Sequence, residues 1–277
     1  MDKQNSLTEQ IQKLEQELAA LDSKRAEKKR QLDYLRNLAE SNNDSKYQNK
    51  DNVKVTAKSP EQDKIALFRS LFRGREDVYP KSFESKRTGR KGYQPVCRNE
   101  WIRPVCKKPK IRCAECKNRD FEPVSDEVIR KHLLGYDPQD RLQKEFVIGV
   151  YSMLTDETCW FLAVDFDKDS FAEDAKTYLQ ICQNYNVPAY LERSRSGNGA
   201  HVWVFFSEPV PAQLARQLGT FMLTKAMDNG TGIGFDSYDR LFPSQDTLPR
   251  GGFGSLIALP LQKRARLNGN SIFLDEN

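Results

Sequence analysis

Two aspartates, Asp165 and Asp167, stand two residues apart at the end of FLAVDFDKDS, a run otherwise as apolar as a core strand. In an extended chain successive side chains point to opposite faces, so both carboxylates share one face and Val164 and Phe166 take the other. Two carboxylates roughly 7 Å apart repel, and partial burial makes ionising both costlier unless a cation, a basic side chain or water compensates. A divalent metal ion is the direct chemical answer. The structural alternative is a strand that simply ends in a solvated turn and caps the next helix, so the pair needs company before it implies catalysis.

Company comes from two further stretches. In LERSRSGNGAHVWVFF (191–206), Gly197 and Gly199 permit close backbone approach, Ser194 and Ser196 supply hydroxyls, Arg193 and Arg195 supply charge, and His201 opens the next strand. Such a hairpin-like connection can cradle phosphate, although a plain turn with a satisfied histidine would read similarly. The stretch FDSYDRLFPSQDTLPRGGFGSLIALPLQKRAR (235–266) adds Asp236 and Asp239, and Ser255 to Leu261 is expected to form a buried strand beside the first two. A polar loop with incidental acids is the alternative there. Three carboxylates suffice for a paired Mg²⁺ or Mn²⁺ site, in which one ion activates an attacking 3′-hydroxyl and the other steadies a leaving pyrophosphate.

Four of the six cysteines fall within twenty residues, Cys97, Cys106, Cys113 and Cys116, with the spacing C-x8-C-x6-C-x2-C. A terminal C-x2-C bends into a knuckle facing one metal, and two more thiolates complete the tetrahedron that Zn²⁺ prefers. Four sulfurs close the coordination sphere, so this zinc is expected to be structural. Around it lie Arg98, Arg103, Lys107, Lys108, Lys110 and Arg112, with Tyr93 and Trp101 interleaved, a composition suited to single-stranded nucleic acid. Cys159 and Cys182 sit in apolar settings and read as small buried hydrophobes. His132, in VIRKHLLG, reads as a residue on an ordinary helix face.

These groups must be positioned by the rest of the chain. Apolar residues at Leu7, Ile11, Leu14, Leu18 and Leu21, resuming at Leu32 and Leu35, predict a coiled-coil-like helix over residues 1–40, able to self-associate through 7–38 or to fold back as a hairpin. A polar linker follows over 41–59. Residues 60–145 are expected to form a helical and zinc-binding region, opening with Ser59 at a helix cap and Pro60 in the first turn. From residue 146 the pattern reads strand (146–154), strand (159–166), helix (171–185), strand (189–193), strand (199–206) and helix (211–229), an α+β or α/β sheet domain extending to residue 277.

The bulk numbers agree. Of 277 residues 38% are hydrophobic and 30% charged, and 44 basic against 39 acidic residues leave a net charge of +5. That balance permits an anionic partner without demanding one, so local clustering decides. No apolar run approaches a membrane span and the N-terminus lacks a signal-peptide core, which points to a cytoplasmic protein with reduced thiols and no membrane partner.

Taken in order, VDFD, SRSGNGAHVW and YDRLFPSQDTLP resemble the three motifs of the archaeo-eukaryotic primase superfamily: an acid pair on a strand, a small residue followed by His, and a final acid. KIALFRSLFRGREDVYPKSFE, CRNEW and GGFGSLIALPLQ are similar to the primase-polymerase domain of TOTE conflict systems and of CRISPR-associated primase-polymerases. The resemblance spans roughly Gln62 to the C-terminus. It implies an α+β protein with an RRM-like catalytic core and a template-dependent nucleotidyltransferase activity. Carried over, Asp165 and Asp167 bind the metal ions, Asp239 rather than Asp236 is the third acid, and His201 contacts the phosphates of the incoming nucleotide.

Ser196, Gly197 and Gly199 are expected to surround that triphosphate, with Arg193 or Arg195 and Lys263 adding charge. The expected partners are nucleoside triphosphates and a single-stranded DNA template or primer-template. Similar proteins often continue into helicase or nuclease modules, so this chain is expected either to stand alone or to belong with such partners. Two other classes compete. A non-catalytic module gripping single strands around a structural zinc gains nothing from carboxylates near phosphates, and a Rep-type nicking enzyme needs paired histidines, whereas the two here stand at 132 and 201.

Overall fold

The computed structural model describes Leu14 and residues 54–85, 88–228 and 236–275. The chain divides into two compact units, Met1–Val55 and Thr56–Asn277, and every element named here belongs to the second. The expected coiled-coil-like helix of residues 1–40 lies, Leu14 apart, outside the described residues, as does most of the 41–59 linker.

At the centre is a five-stranded antiparallel sheet of β4 (Thr158–Asp167), β5 (Tyr190–Arg193), β6 (Gly199–Pro211), β7 (Tyr238–Phe242) and β9 (Ile272–Phe273), in the order β7-β4-β6-β5-β9. Helix α3 (Phe171–Asn184) joins β4 to β5, and α4 (Ala212–Asp228) joins β6 to β7. Strands and helices thus follow β-α-β-β-α-β, the split arrangement expected of an RRM-like core, with β9 added at one edge.

Alternation along the strands gives the sheet two different faces. Leu162, Val164 and Phe166 of β4, with Val202 and Val204 of β6, pack against Tyr178, Ile181 and Met222 of α3 and α4. Phe161, Ala163 and Trp203 point the other way, into a second cluster with Ile65, Phe68 and Phe72 of the α1 segment (α1, Glu61–Leu71) and Val128 and Ile129 of α2 (Asp126–Leu134). Phe72 meets Trp203 edge-on at 5.1 Å between ring centroids, and Phe161 lies 5.2 Å from the same indole. The helical region expected over 60–145 and the sheet domain expected from 146 share this cluster.

Smaller elements flank the sheet. β1 (Pro80–Glu84) and β2 (Lys91–Pro95) form a hairpin, and β3 (Gly149–Tyr151) pairs with β8 (Leu256–Ala258) in a separate ribbon. The short helix α5 (Lys263–Arg266) follows. Two expectations are corrected. The Ser255–Leu261 segment does not lie beside the aspartate strand; β7, which carries Asp239, takes that place. Pro60, rather than Ser59, occupies the cap position of α1, and the Ser59 hydroxyl instead accepts from the Thr56 amide at 2.9 Å. His132 is fully buried in α2, its Nε2 3.0 Å from the Pro260 carbonyl and its Nδ1 accepting from the Ile148 amide at 3.2 Å.

Candidate active site

The open part of the second sheet face begins where the aromatic cover ends, one row beyond Trp203. There the register aligns Arg240, Asp165, His201 and Glu192 across β7, β4, β6 and β5. Asp167 lies on the same face one step on, opposite Gly199. An added Cβ at Gly199 would lie 2.4 Å from Asp167 Oδ1, so glycine there makes room for the carboxylate.

Asp239 reaches the site through an irregularity in the ladder. Asp165 pairs with Arg240 and Phe166 with Tyr238, which leaves Asp239 as the extra residue of a β-bulge. A bulge breaks the two-residue alternation and re-aims a side chain. Without it, Asp239 would face the helices; with it, one ligand oxygen from each of Asp165, Asp167 and Asp239 lies within 4.8 Å of the others. Asp236 is exposed and outside this cluster.

Electrostatics show what the trio lacks. Burial raises the Asp167 pKa, and the Asp165 and Asp239 carboxylates raise it further. Among the described residues Asp165 Oδ1 is buried without a hydrogen-bond partner, and His201 Nε2 stands 3.4 Å away. Arg240 pairs with Asp239 at 2.7 Å, and its charge with that of His201 offsets part of the Asp167 rise. Crowded carboxylates with one orphaned oxygen are a donor set that suits divalent cations with oxygen ligands.

His201 is held from behind by Glu192, which is 1% exposed. Glu192 Oε2 accepts from His201 Nδ1 at 2.8 Å and from Trp203 Nε1 at 2.8 Å. Burial disfavours the imidazolium, but the Glu192 charge and the nearby Asp165 carboxylate outweigh it and raise the His201 pKa to about 10. Protonated, with Nε2 beside Asp165, His201 can donate to an anion at the site.

The glycine loop stands beside this row. Gly197 takes φ +81°, and an added Cβ would lie 2.7 Å from Asn270 Oδ1. The Ser194 and Ser196 hydroxyls are 3.1 Å apart, and the Arg193 guanidinium reaches the Gly197 carbonyl at 3.4 Å. Arg195 turns away to Glu145 at 3.3 Å. Lys263 is exposed at the start of α5, and among the described residues no hydrogen bond or ion pair joins it to the aspartates. Glu192, Arg240 and Asn270 are site residues that sequence reading missed; for Glu192 the signal was a charge at an inward position of a strand, directly opposite His201.

The chain matches the family model described as the archaeo-eukaryotic primase domain of the TOTE conflict system over residues 63–277. It belongs to that family. No curated relative matches the chain. Membership makes this a primase-type nucleotidyltransferase domain, and its cluster of Asp165, Asp167 and Asp239 could bind a divalent metal ion. In this primase domain no described helix is long and apolar enough to cross a membrane.

The four cysteines line one small cavity of about 20 Å³. Backbone amides serve two of the sulfurs: Asp120 donates to Cys97 at 3.4 Å, and the Lys108 and Trp101 amides lower the Cys106 pKa. Among the described residues no three of these sulfurs come within 4.8 Å of one another, a closeness only the aspartate trio reaches. Cys159 and Cys182 are fully buried, as expected, and burial pushes both thiols up to about 12.

Proposed function

We propose that the domain is a template-dependent DNA primase-polymerase, which extends or initiates strands with a pair of Mg²⁺ or Mn²⁺ ions. The observation that carries this reading is the convergence of Asp165, Asp167 and Asp239 beside His201. Bound divalent ions would supply an activated 3′-hydroxyl and a stabilised leaving pyrophosphate. The protein's own part is to hold three carboxylates on one face, with Asp239 brought in by the bulge. Ser196, the amides near Gly197 and Gly199, Arg193, Lys263 and His201 bind the triphosphate, and Glu192 fixes the His201 ring so that Nε2 faces it.

We also assign one structural Zn²⁺ to Cys97, Cys106, Cys113 and Cys116. The shared cavity and the amide donors at sulfur support this, since backbone N–H groups stabilise thiolates. Binding would draw the sulfurs closer than they stand.

The test is a single gel. A single-stranded template, labelled nucleotides and Mg²⁺ or Mn²⁺, with and without a primer, should give extension products. Template binding without incorporation under any of these conditions would favour the non-catalytic module.

A further inference from the structure

A cavity of about 610 Å³ opens on the far side of Arg195, walled by the β1–β2 hairpin, the 137–146 loop and Arg195 itself. Its size suits a nucleotide-sized ligand. Arg195 is flanked by Ser194 and Ser196 of the glycine loop, yet it points into this cavity and binds Glu145 there at 3.3 Å. The cavity therefore adjoins the loop assigned to the triphosphate without being part of it.

The lining is chemically specific. Ser82 and Tyr93 are cross-strand partners, as are Phe83 and Gly92. The Tyr93 hydroxyl is buried against the Arg195 guanidinium with no hydrogen bond of ordinary geometry among the described residues, and such a group gains when a polar ligand arrives. Phe83 is 41% exposed. Lys81 lies over the Phe146 ring at 4.3 Å. The acids are already engaged: Asp137 by Lys131 at 2.9 Å, Asp140 by the Leu142 and Lys144 amides, Glu145 by Arg195. Among the described residues Lys144 forms no ion pair, and Lys91 faces Glu84 at 4.0 Å. Four basic and four acidic side chains line the cavity, too even a balance for a free triphosphate. Aromatic surface with a few available lysines suits instead one base and its phosphodiester.

Direction follows from the proposed reaction, on which this inference rests. In an in-line displacement the pyrophosphate leaves opposite the attacking primer 3′-oxygen. The triphosphate loop thus marks the side turned away from the primer, where the strand still to be copied must run. We propose that the cavity holds an unpaired nucleotide of the template, downstream of the templating base, with Phe83 against the base and Lys144 at the phosphates.

The experiment compares two primer-templates, one with a single unpaired template nucleotide and one with six, bound to the full chain by fluorescence anisotropy without nucleotide or metal. The wild type should bind the longer overhang about tenfold more tightly, the scale of one stacked base. Phe83→Ala and Lys144→Glu, both at accessible positions, should abolish that preference while leaving the short-overhang affinity unchanged, with Tyr93→Phe as the variant that removes only the buried hydroxyl. Equal binding of both substrates by the wild type, or a preference kept in the Phe83 and Lys144 variants, would overturn the proposal. Nucleotide incorporation measured on the same substrates separates the two readings. Normal incorporation without overhang preference removes the cavity assignment alone, whereas overhang preference without incorporation removes the polymerase assignment and leaves the cavity.

Discussion

At the residue scale, the acid pair is explained by what its members do to each other. Removing Asp165 or Asp167 relieves repulsion, so Asp165→Ala or Asp167→Ala should abolish nucleotide incorporation without lowering the unfolding midpoint. Measurable turnover in either variant at wild-type level would sink the metal assignment. His201 was legible as a site residue because it follows a small-residue loop; its support was not. Glu192 stands out in the sequence only as a charge within a strand, and the four residues YLER do not announce which neighbour it meets. Only the register places it against His201 and Trp203. Glu192→Gln keeps the shape and an acceptor oxygen but not the charge, so it should raise the nucleotide KM about tenfold while template Kd stays near wild type. His201→Ala should do the same or more. A normal KM in Glu192→Gln beside a damaged His201→Ala would reduce Glu192 to a packing role.

At the element scale, β4 to β6 and the helices α3 and α4 were readable within a few residues, because β4 and β6, buried on both faces, read as short apolar runs and burial of one helix face imposes a period of 3.6. β7 was not. Its YDRLF sequence places charges at two of five positions, and the bulge that brings Asp239 inward also erases the alternation that would have marked a strand. His132 read as a residue on an ordinary helix face, and a helical pattern does not reveal that Pro260 and Ile148 supply partners from 128 and 16 residues away. Its ring is neutral and fully satisfied, and burial lowers its pKa from 6.5 to about 4. An unfolded histidine takes up a proton near pH 6.5 and the folded one does not, so stability is fully present above that pH. It falls as pH drops toward 4, by up to about 3 kcal/mol. Urea unfolding of wild type and His132→Gln from pH 7.5 to 4.5 should show a stability difference that shrinks on acidification. A constant difference would mean that His132 does not titrate between the two states.

At the scale of the whole molecule, a net charge of +5 says little, and the placement of individual bases says more. Near the cysteines, several basic residues that read as a nucleic-acid surface have internal duties. Arg98 pairs with Asp120 at 2.9 Å, Lys108 with Glu100 at 2.7 Å, and Arg103 donates to the Cys106 and Lys108 carbonyls. Lys107, Lys110 and Arg112 are exposed, and none forms an ion pair among the described residues. Trp101, 58% exposed, presents a ring beside them. If this surface guides the template, the two groups of bases must respond differently. Neutralising Lys107, Lys110 and Arg112 together should weaken single-stranded DNA binding and reduce the slope of log affinity against log salt by about 2, as expected for three lost phosphate contacts. Arg103→Ala should instead loosen the cysteine knuckle, read as zinc lost to a chelator faster than from wild type. Trp101→Ala should weaken binding with the salt slope unchanged, because stacking releases no counterions. A triple variant with an unaltered salt slope would move the template off this surface, while an intact zinc content in that variant would show that the fold had not failed first.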